Sequence, residues 1–265
     1  MDEPARIESS LRAVSAVGSV VSAVWALARA QLPRVEEAVA HTATYLSWLD
    51  RVVDEIAGPP LPEPPGRSLV IVLGPERAFC GDLAQRLLEA APAVGPVGLV
   101  GTRLIEVAER GTSPLPDVRL RVPGSAGIDE LAATSERLGA AILEALDDAG
   151  EPLRVELLAP TDPRGGISRE LLLPTLRGAP RGERDLFSQP EEVARAAARE
   201  SVVGHLRAGL VGALLVETRA RAAVAERARS AVRDRETELR GALRVVEQER
   251  ITRELVELAS AAEAR

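Results

Sequence analysis

The feature that most restricts this chain is its last quarter. From Glu191 to Arg265 there is no proline, and Ala, Arg, Glu and Leu dominate. These residues lose little conformational freedom in a helix. Pro190 followed by Glu191 and Glu192 makes a suitable opening, because proline is tolerated in a first turn and acids suit a helix N-terminus. The stretch predicts one helix about 110 Å long at 1.5 Å per residue. No single compact domain covers such a rod, so something outside it must.

Leu206, Leu210, Ala213, Glu217, Ala220 and Val224 step by 4, 3, 4, 3 and 4, the spacing of a coiled-coil seam with one acidic interruption. Glu217 there either fixes register as a polar device or faces solvent. Ile251, Leu255, Leu258 and Ala262 repeat the 4, 3, 4 spacing, whereas the phase drifts between Val232 and Val246, which reads as a stutter or a change of partner. Between Glu191 and Ala264, 13 arginines face 13 carboxylates. That is the evenly charged surface of a solvated coiled coil and not a basic stripe for nucleic acid.

The other end carries the mate. Residues 5–57 read as a long helix, and Ala13–Ala28 (AVSAVGSVVSAVWALA) is free of charge. It falls short of a membrane span of about 20 residues and includes Ser15, Ser19 and Ser22, so no direct membrane insertion is expected. A helix apolar all round is buried, and the seam of the C-terminal helix is its natural partner. Pro33 predicts a kink or break near Ala30. Leu46, Leu49, Val53 and Ile56 share one face before the helix stops.

GPPLPEPPG, residues 58–66, ends that helix in an extended connector. Strands then alternate with helices. Strands are expected at 68–73, 97–100, 118–122, 153–158 and 169–173, and helices at 81–91, 102–110 and 128–149. This alternation predicts a mainly parallel α/β sheet whose last strand pair is antiparallel. The fold class is therefore an antiparallel coiled coil of N- and C-terminal helices with an inserted, Rossmann-like α/β domain. Its parts are a first helix to residue 57, a linker over 58–67, the α/β domain over 68–175, a loop over 176–190 and the C-terminal helix over 191–265.

No active site can be composed from these residues. The turn Gly74–Asp82 after the first strand stands where an α/β fold holds a nucleotide, yet it has neither GxGxxG nor GxxxxGK[ST]. The competing reading is a tight turn with Phe79 and Cys80 buried. Cys80 is the only cysteine, which excludes an intrachain disulfide and a thiolate zinc site. A nucleophilic Cys80 would want a neighbouring histidine, and the two histidines, His41 and His205, lie on the long helices without a second ligand at i+3 or i+4. Trp25, Trp48 and Tyr45 read as packing anchors. No lysine occurs, and the net charge of -7 disfavours nucleic acid and anionic membrane as partners. The N-terminus lacks a basic region followed by an apolar core, so no signal peptide is expected and the cytosol is the default. The expectation is no catalytic residue, no cofactor and no metal.

At this point the chain resembles the gamma subunit of rotary ATP synthases. ITRELVELASAAEA (Ile251–Ala264) is similar to the family's C-terminal ITxELxEIxxGAEA. PERAFCGDL (Pro75–Leu83) is similar to SDRGLCGGL after its first strand. The opening helix keeps the family's length and phase. The resemblance is to a divergent member, of the kind an alternative ATPase operon encodes. Val24-Trp25 replaces Met-Lys, and Asn-x-x-Arg-Gln appears as Arg244 to Gln248 with Glu247 in place of arginine.

The resemblance implies a non-catalytic central-stalk rotor of a proton-transporting ATP synthase. Its partners would be the alpha and beta subunits, the epsilon subunit and the membrane c-ring, at the cytoplasmic face of the inner (plasma) membrane. It also implies that Val24, Trp25, Gln248, Ile251, Thr252 and Glu254 contact the alpha-beta hexamer, and that Arg77, Cys80 and Gly81 build a structural turn. Two other readings stay open: a gamma-like scaffold decoupled from ATP turnover, and an α/β enzyme using the turn after the first strand.

Overall fold

The computed structural model describes residues 3–56, 67–111, 115, 117–149, 154–172 and 190–263. In chain order the elements are α1 (Glu3–Ile56), β1 (Ser68–Leu73), α2 (Leu83–Ala90), β2 (Pro96–Val100), α3 (Thr102–Arg110), β3 (Asp117–Val122), a 3-10 turn (Ile128–Glu130), α4 (Leu131–Asp148), β4 (Arg154–Pro160), β5 (Ile167–Leu171) and α5 (Pro190–Glu263). Long terminal helices thus flank an inserted α/β sheet. Of the expected linker over 58–67 and loop over 176–190, all but Arg67 and Pro190 lie outside the described residues, and Pro190 opens α5. The residues form two compact units, Met1–Leu27 with Ala222–Arg265, and Ala28–Arg221.

In the larger unit the strand order is β3-β2-β1-β4-β5. The first four strands run parallel, with Val70 opposite Val97 and Val155 opposite Leu69; β5 turns back antiparallel to β4. β1 is apolar from Leu69 to Leu73 because both of its faces are covered, as parallel strands require. Leu69, Ile71 and Leu73 point to one face and pack with Leu138, Ile142 and Ala145 of α4. Val70 and Val72 point to the other and pack with Leu83 and Leu87 of α2 and Leu104 of α3.

α5 contributes to both layers. Leu206, Leu210 and Ala213 belong to the α4 face, whereas Val216 and Ala220 belong to the α2–α3 face. The helix therefore crosses from one side of the sheet to the other within about four turns. This corrects the expected seam: between Leu206 and Ala220 it lies on the sheet and not on the first helix. The stripe that meets α1 is a neighbouring one, in which Val211 and Leu214 enclose Val35. An apolar sheet offers a wider face than one helix, and α5 is apolar enough here to serve both neighbours.

α1 remains helical through Pro33, so of the kink or break expected near Ala30 the break is absent. Ala28, Leu32, Val35, Val39, Thr42, Leu46, Leu49 and Val53 are buried or half-buried at alternating steps of 4 and 3 on both sides of the proline. Packing along that stripe outweighs the one backbone hydrogen bond that proline removes. The pairing with α5 is antiparallel: Glu36 meets Arg219 at 2.8 Å, and further along α1 Tyr45 donates to Glu200, earlier on α5, at 2.6 Å.

The smaller unit is a helix pair. On α1, Pro4, Ile7, Leu11, Val14, Gly18, Val21 and Trp25 are buried or half-buried; on α5, Ala225, Arg229, Val232, Glu236, Leu239, Leu243 and Val246 are. Both sets keep the 3–4 alternation of a coiled coil. The expected drift between Val232 and Val246 is therefore absent, because Glu236 holds a seam position that a search for apolar residues passes over. Gly18 lies close against α5: a Cβ built there would stand 2.9 Å from Val232 Cγ1. Outside the stripe the charge-free stretch of α1 is open to solvent, with Val17 at 55%, Val20 at 57% and Leu27 at 49%. It is not buried all round as its composition predicts, since one partner helix covers only one stripe.

Candidate functional site

Two places were candidates, and each belongs to a different unit. The first is the turn Gly74–Asp82, at the C-terminal end of β1. It stands where the strand order switches, with β2 on one side and β4 on the other, which is where open α/β sheets bind ligands. Here the chain's own carboxylates occupy the donors a ligand would use. Glu76 Oε2 accepts from the backbone N–H of Thr102 at 2.7 Å and of Gly124 at 2.6 Å, and Oε1 accepts from Thr102 Oγ1 at 2.7 Å. The N-terminus of α3, a natural anion site, is thereby filled from within. Gly101 makes room for this: its φ of 115° favours glycine, and a Cβ there would lie 2.6 Å from the Gly74 carbonyl oxygen.

The turn's own backbone N–H groups are also taken. Glu76 N and Arg77 N donate to the two carboxylate oxygens of Glu217, at 2.9 and 3.1 Å. Glu217 is 3% exposed and ion-pairs with Arg221, one turn later on α5 and 4% exposed. Burial pushes the Glu217 carboxyl up, while the Arg221 guanidinium and the two backbone donors oppose that rise. Glu217 is thus neither a register device against α1 nor solvent-facing; it clamps the turn.

Cys80 lies beneath the same turn, 7% exposed, and its thiol points to the Arg77 carbonyl at 3.3 Å. Burial, followed by the nearby Glu217 charge, pushes this thiol up to about 12. A thiol held neutral is a poor nucleophile. Phe79, expected to be buried, is 48% exposed. Its φ of 67° and that of Gly81 at 63° turn the chain so that Phe79 faces outward while Cys80 faces in. Trp48 is likewise no buried anchor, at 53% exposed; Leu49 beside it takes the inward position. His205 Nδ1 lies 2.8 Å from the Ser201 carbonyl, and His41 is exposed. Among the described residues no group of three or more His, Cys, Asp or Glu is placed to hold a metal.

The second place is the end of the helix pair. Gly18 lies against Val232, so fourteen residues back along α1 and fourteen forward along α5 bring Pro4 opposite Val246. Among the described side chains Val246 is the last on α5 with partial cover; Glu247–Ala261 are all exposed. Ile251 (52%), Leu255 (61%), Val256 (59%) and Leu258 (68%) stand on this bare helix, and Gln248, Thr252 and Glu254 stand beside them. Val24 and Trp25 are half-buried, and the Arg229 guanidinium lies over the Trp25 ring at 4.0 Å. Trp25 thus spends one ring face on its own helix pair. The structure places Gln248, Ile251, Thr252 and Glu254 on consecutive turns of α5 but does not bring Val24 and Trp25 to them: Trp25 packs on Arg229, 19 positions before Gln248.

Sequence reasoning missed Glu76 and the partner of Glu217. The spacing of Glu217 and Arg221 by four residues was visible, but 141 positions separate Glu217 from Glu76 and nothing local joins them.

The family described as ATP synthase matches residues 4–264. No curated protein matches the chain. A chain of the Euglena gracilis mitochondrial ATP synthase rotor, in rotational state 1, superposes with a TM-score of 0.58 at 14% identity, covering 94% of this chain and 98% of that one. A chain from the OSCP/F1/c-ring part of the same organism's enzyme, in rotational state 3, gives 0.64 at 13% identity, with 98% and 94% covered. One from the Tetrahymena thermophila central stalk and c-ring gives 0.50 at 11% identity, with 79% and 99% covered. At those identities the likeness is one of fold, whereas the family match extends over nearly every residue. The chain therefore belongs to the gamma-subunit family of ATP synthase, as a subunit of a rotary machine.

Proposed function

We propose that the chain is the central-stalk rotor of a proton-transporting ATP synthase, coupling ion flow through a membrane ring to ATP synthesis or hydrolysis in an alpha-beta hexamer. The observation that carries this reading is the bare end of α5. Four large apolar side chains stand more than half exposed on the last turns of α5, and a surface of that kind needs an outside cover. A hexamer collar would supply it, with Val24, Trp25, Gln248, Ile251, Thr252 and Glu254 as contacts. The α/β domain would rest on the c-ring with the epsilon subunit, at the cytoplasmic face of the membrane, making the chain a peripheral component.

On this reading the chain performs no bond chemistry. Its filled turn supports that, since the strand-end donors are already bonded to Glu76 and Glu217. Each orientation of an asymmetric shaft would favour a different state of the catalytic sites around it. The gamma-like scaffold without torque transmission is favoured by one observation: Trp25 is engaged with Arg229, leaving less of it for an outside partner. The deciding measurement is ATP hydrolysis by a reconstituted alpha-beta assembly with and without the chain. A rotor changes turnover; turnover unaffected by the chain supports the scaffold.

A further inference from the structure

We propose that Glu217 and Glu76 form the joint that makes α5 and the five-stranded sheet turn as one body. This rests on the rotor reading and names where torque would pass within the chain. Leu206, Leu210, Ala213, Val216 and Ala220 bind α5 to the sheet through apolar contact, which is non-directional and resists separation better than rotation or sliding. Among the described residues the directional bonds from this stretch of α5 to the strand ends converge on Glu217, where α5 passes them.

There Glu217 reaches from α5 and takes the N–H groups of Glu76 and Arg77. The Glu76 side chain continues the path, taking Thr102 N at the start of α3 and Gly124 N just beyond β3. Two carboxylates in series thus connect α5 to β1, α3 and β3, three elements that are separate in sequence. Arg221 holds Glu217 from the next turn, and its Nε is buried with no partner among the described residues.

As stability devices these groups are poor. Burying an ion pair costs several kcal/mol of lost hydration per ion, and a well-packed apolar pair of similar volume often holds a fold better. What the arrangement supplies is a fixed angle: turning α5 about its axis, or sliding it by one residue, breaks both backbone bonds at once. Glu217 and Glu76 are positioning residues, with no role in bond chemistry.

The test uses the full chain, wild type and with Glu217→Gln or Glu217→Ala, alone and assembled with the alpha-beta hexamer and the membrane ring. In the free chain, hydrogen exchange is expected to speed up at least tenfold at both the Glu76 and Arg77 amides in Glu217→Ala, and at one of the two in Glu217→Gln. In the assembly, ATP hydrolysis is expected to continue while protons pumped per ATP fall at least threefold, at temperatures where circular dichroism shows the variant folded. Glu136→Gln, an exposed change on α4, leaves both readouts unmoved. Faster exchange with wild-type pumping by both variants would overturn the joint, as would unchanged exchange. A wild-type chain that never couples hydrolysis to pumping would instead overturn the rotor reading. If Glu217→Ala does not fold, Glu217→Gln, which keeps the shape and one acceptor, decides.

Discussion

The two glycines that bracket α3 should respond to alanine in opposite ways. Gly101 sits before the helix at φ 115°, and an added Cβ would meet the Gly74 and Pro75 carbonyl oxygens at 2.6 and 2.7 Å. Both are backbone atoms, so neither can swing aside. The dihedral alone costs about 1–3 kcal/mol for a residue with a side chain, and relieving the clash adds about 1–3 kcal/mol of the kind measured for overpacked sites. Gly101→Ala should therefore destabilise the Ala28–Arg221 unit by roughly 2–6 kcal/mol. For a unit of this size that lowers its melting temperature by about 4–24 °C at 2–4 °C per kcal/mol.

Gly111 closes the same helix at φ -69°, where a Cβ would come no nearer than 3.4 Å to the Val107 carbonyl. Gly111→Ala should be neutral or add about 0.4–1 kcal/mol by restricting the unfolded chain. Thermal unfolding followed by circular dichroism compares the two. Hydrogen exchange adds a local reading, because Gly101 N donates to Val122 at 2.9 Å and Leu104 N to Pro75 at 3.2 Å. Both amides should lose protection in Gly101→Ala and keep it in Gly111→Ala. Equal melting temperatures for the two variants would refute the account of the strand-end turn.

Three more expectations follow from the same geometry. Cys80 should resist alkylation by iodoacetamide at pH 8 until the fold is opened. Because its thiol ionises near 9.0 unfolded and near 12 folded, the unfolded chain gives up a proton that the fold retains, so stability should drop as pH rises from 9 toward 12, by up to about 1.4 kcal/mol per pH unit; rapid labelling of the native chain would contradict this. Leu255→Glu with Leu258→Glu should leave the melting temperature of the free chain within the change expected of about 0.5 kcal/mol, since both side chains are exposed, yet weaken binding to an alpha-beta hexamer at least tenfold in a pull-down titration; equal binding would remove the bare helix as a contact surface. In a Trp48→Phe background, Arg229→Ala should shift the emission of Trp25 and cost the helix pair about 0.5–2 kcal/mol, as for a cation–π contact; an unmoved spectrum would mean that the guanidinium does not cover the ring.

Much of the architecture was legible in local pattern. Proline-free, alanine-rich ends declared long helices, and the alternation of SLVIVL-like runs with helical stretches declared a mainly parallel sheet. The turn PERAFCGDL and the ending ITRELVELASAAEA carried the family. What misled was partner choice. The stripe Leu206–Ala220 has coiled-coil spacing, but such spacing specifies a face and not what covers it, and the sheet covers it here. Pro33 argued for a break that the buried stripe on either side of it prevents. Glu236 hid the regular seam because it is charged.

The sequence by itself determined which segments are helix and strand, and that the last helix is too long to be covered by one small domain, since these follow from propensity and spacing within a few turns. The tertiary structure alone decided that α5 lies across both faces of the sheet, that Glu217 clamps a turn 140 positions away, and that the apolar residues after Val246 are left bare. Those outcomes depend on which surfaces meet in space, and no local periodicity encodes the other half of a contact.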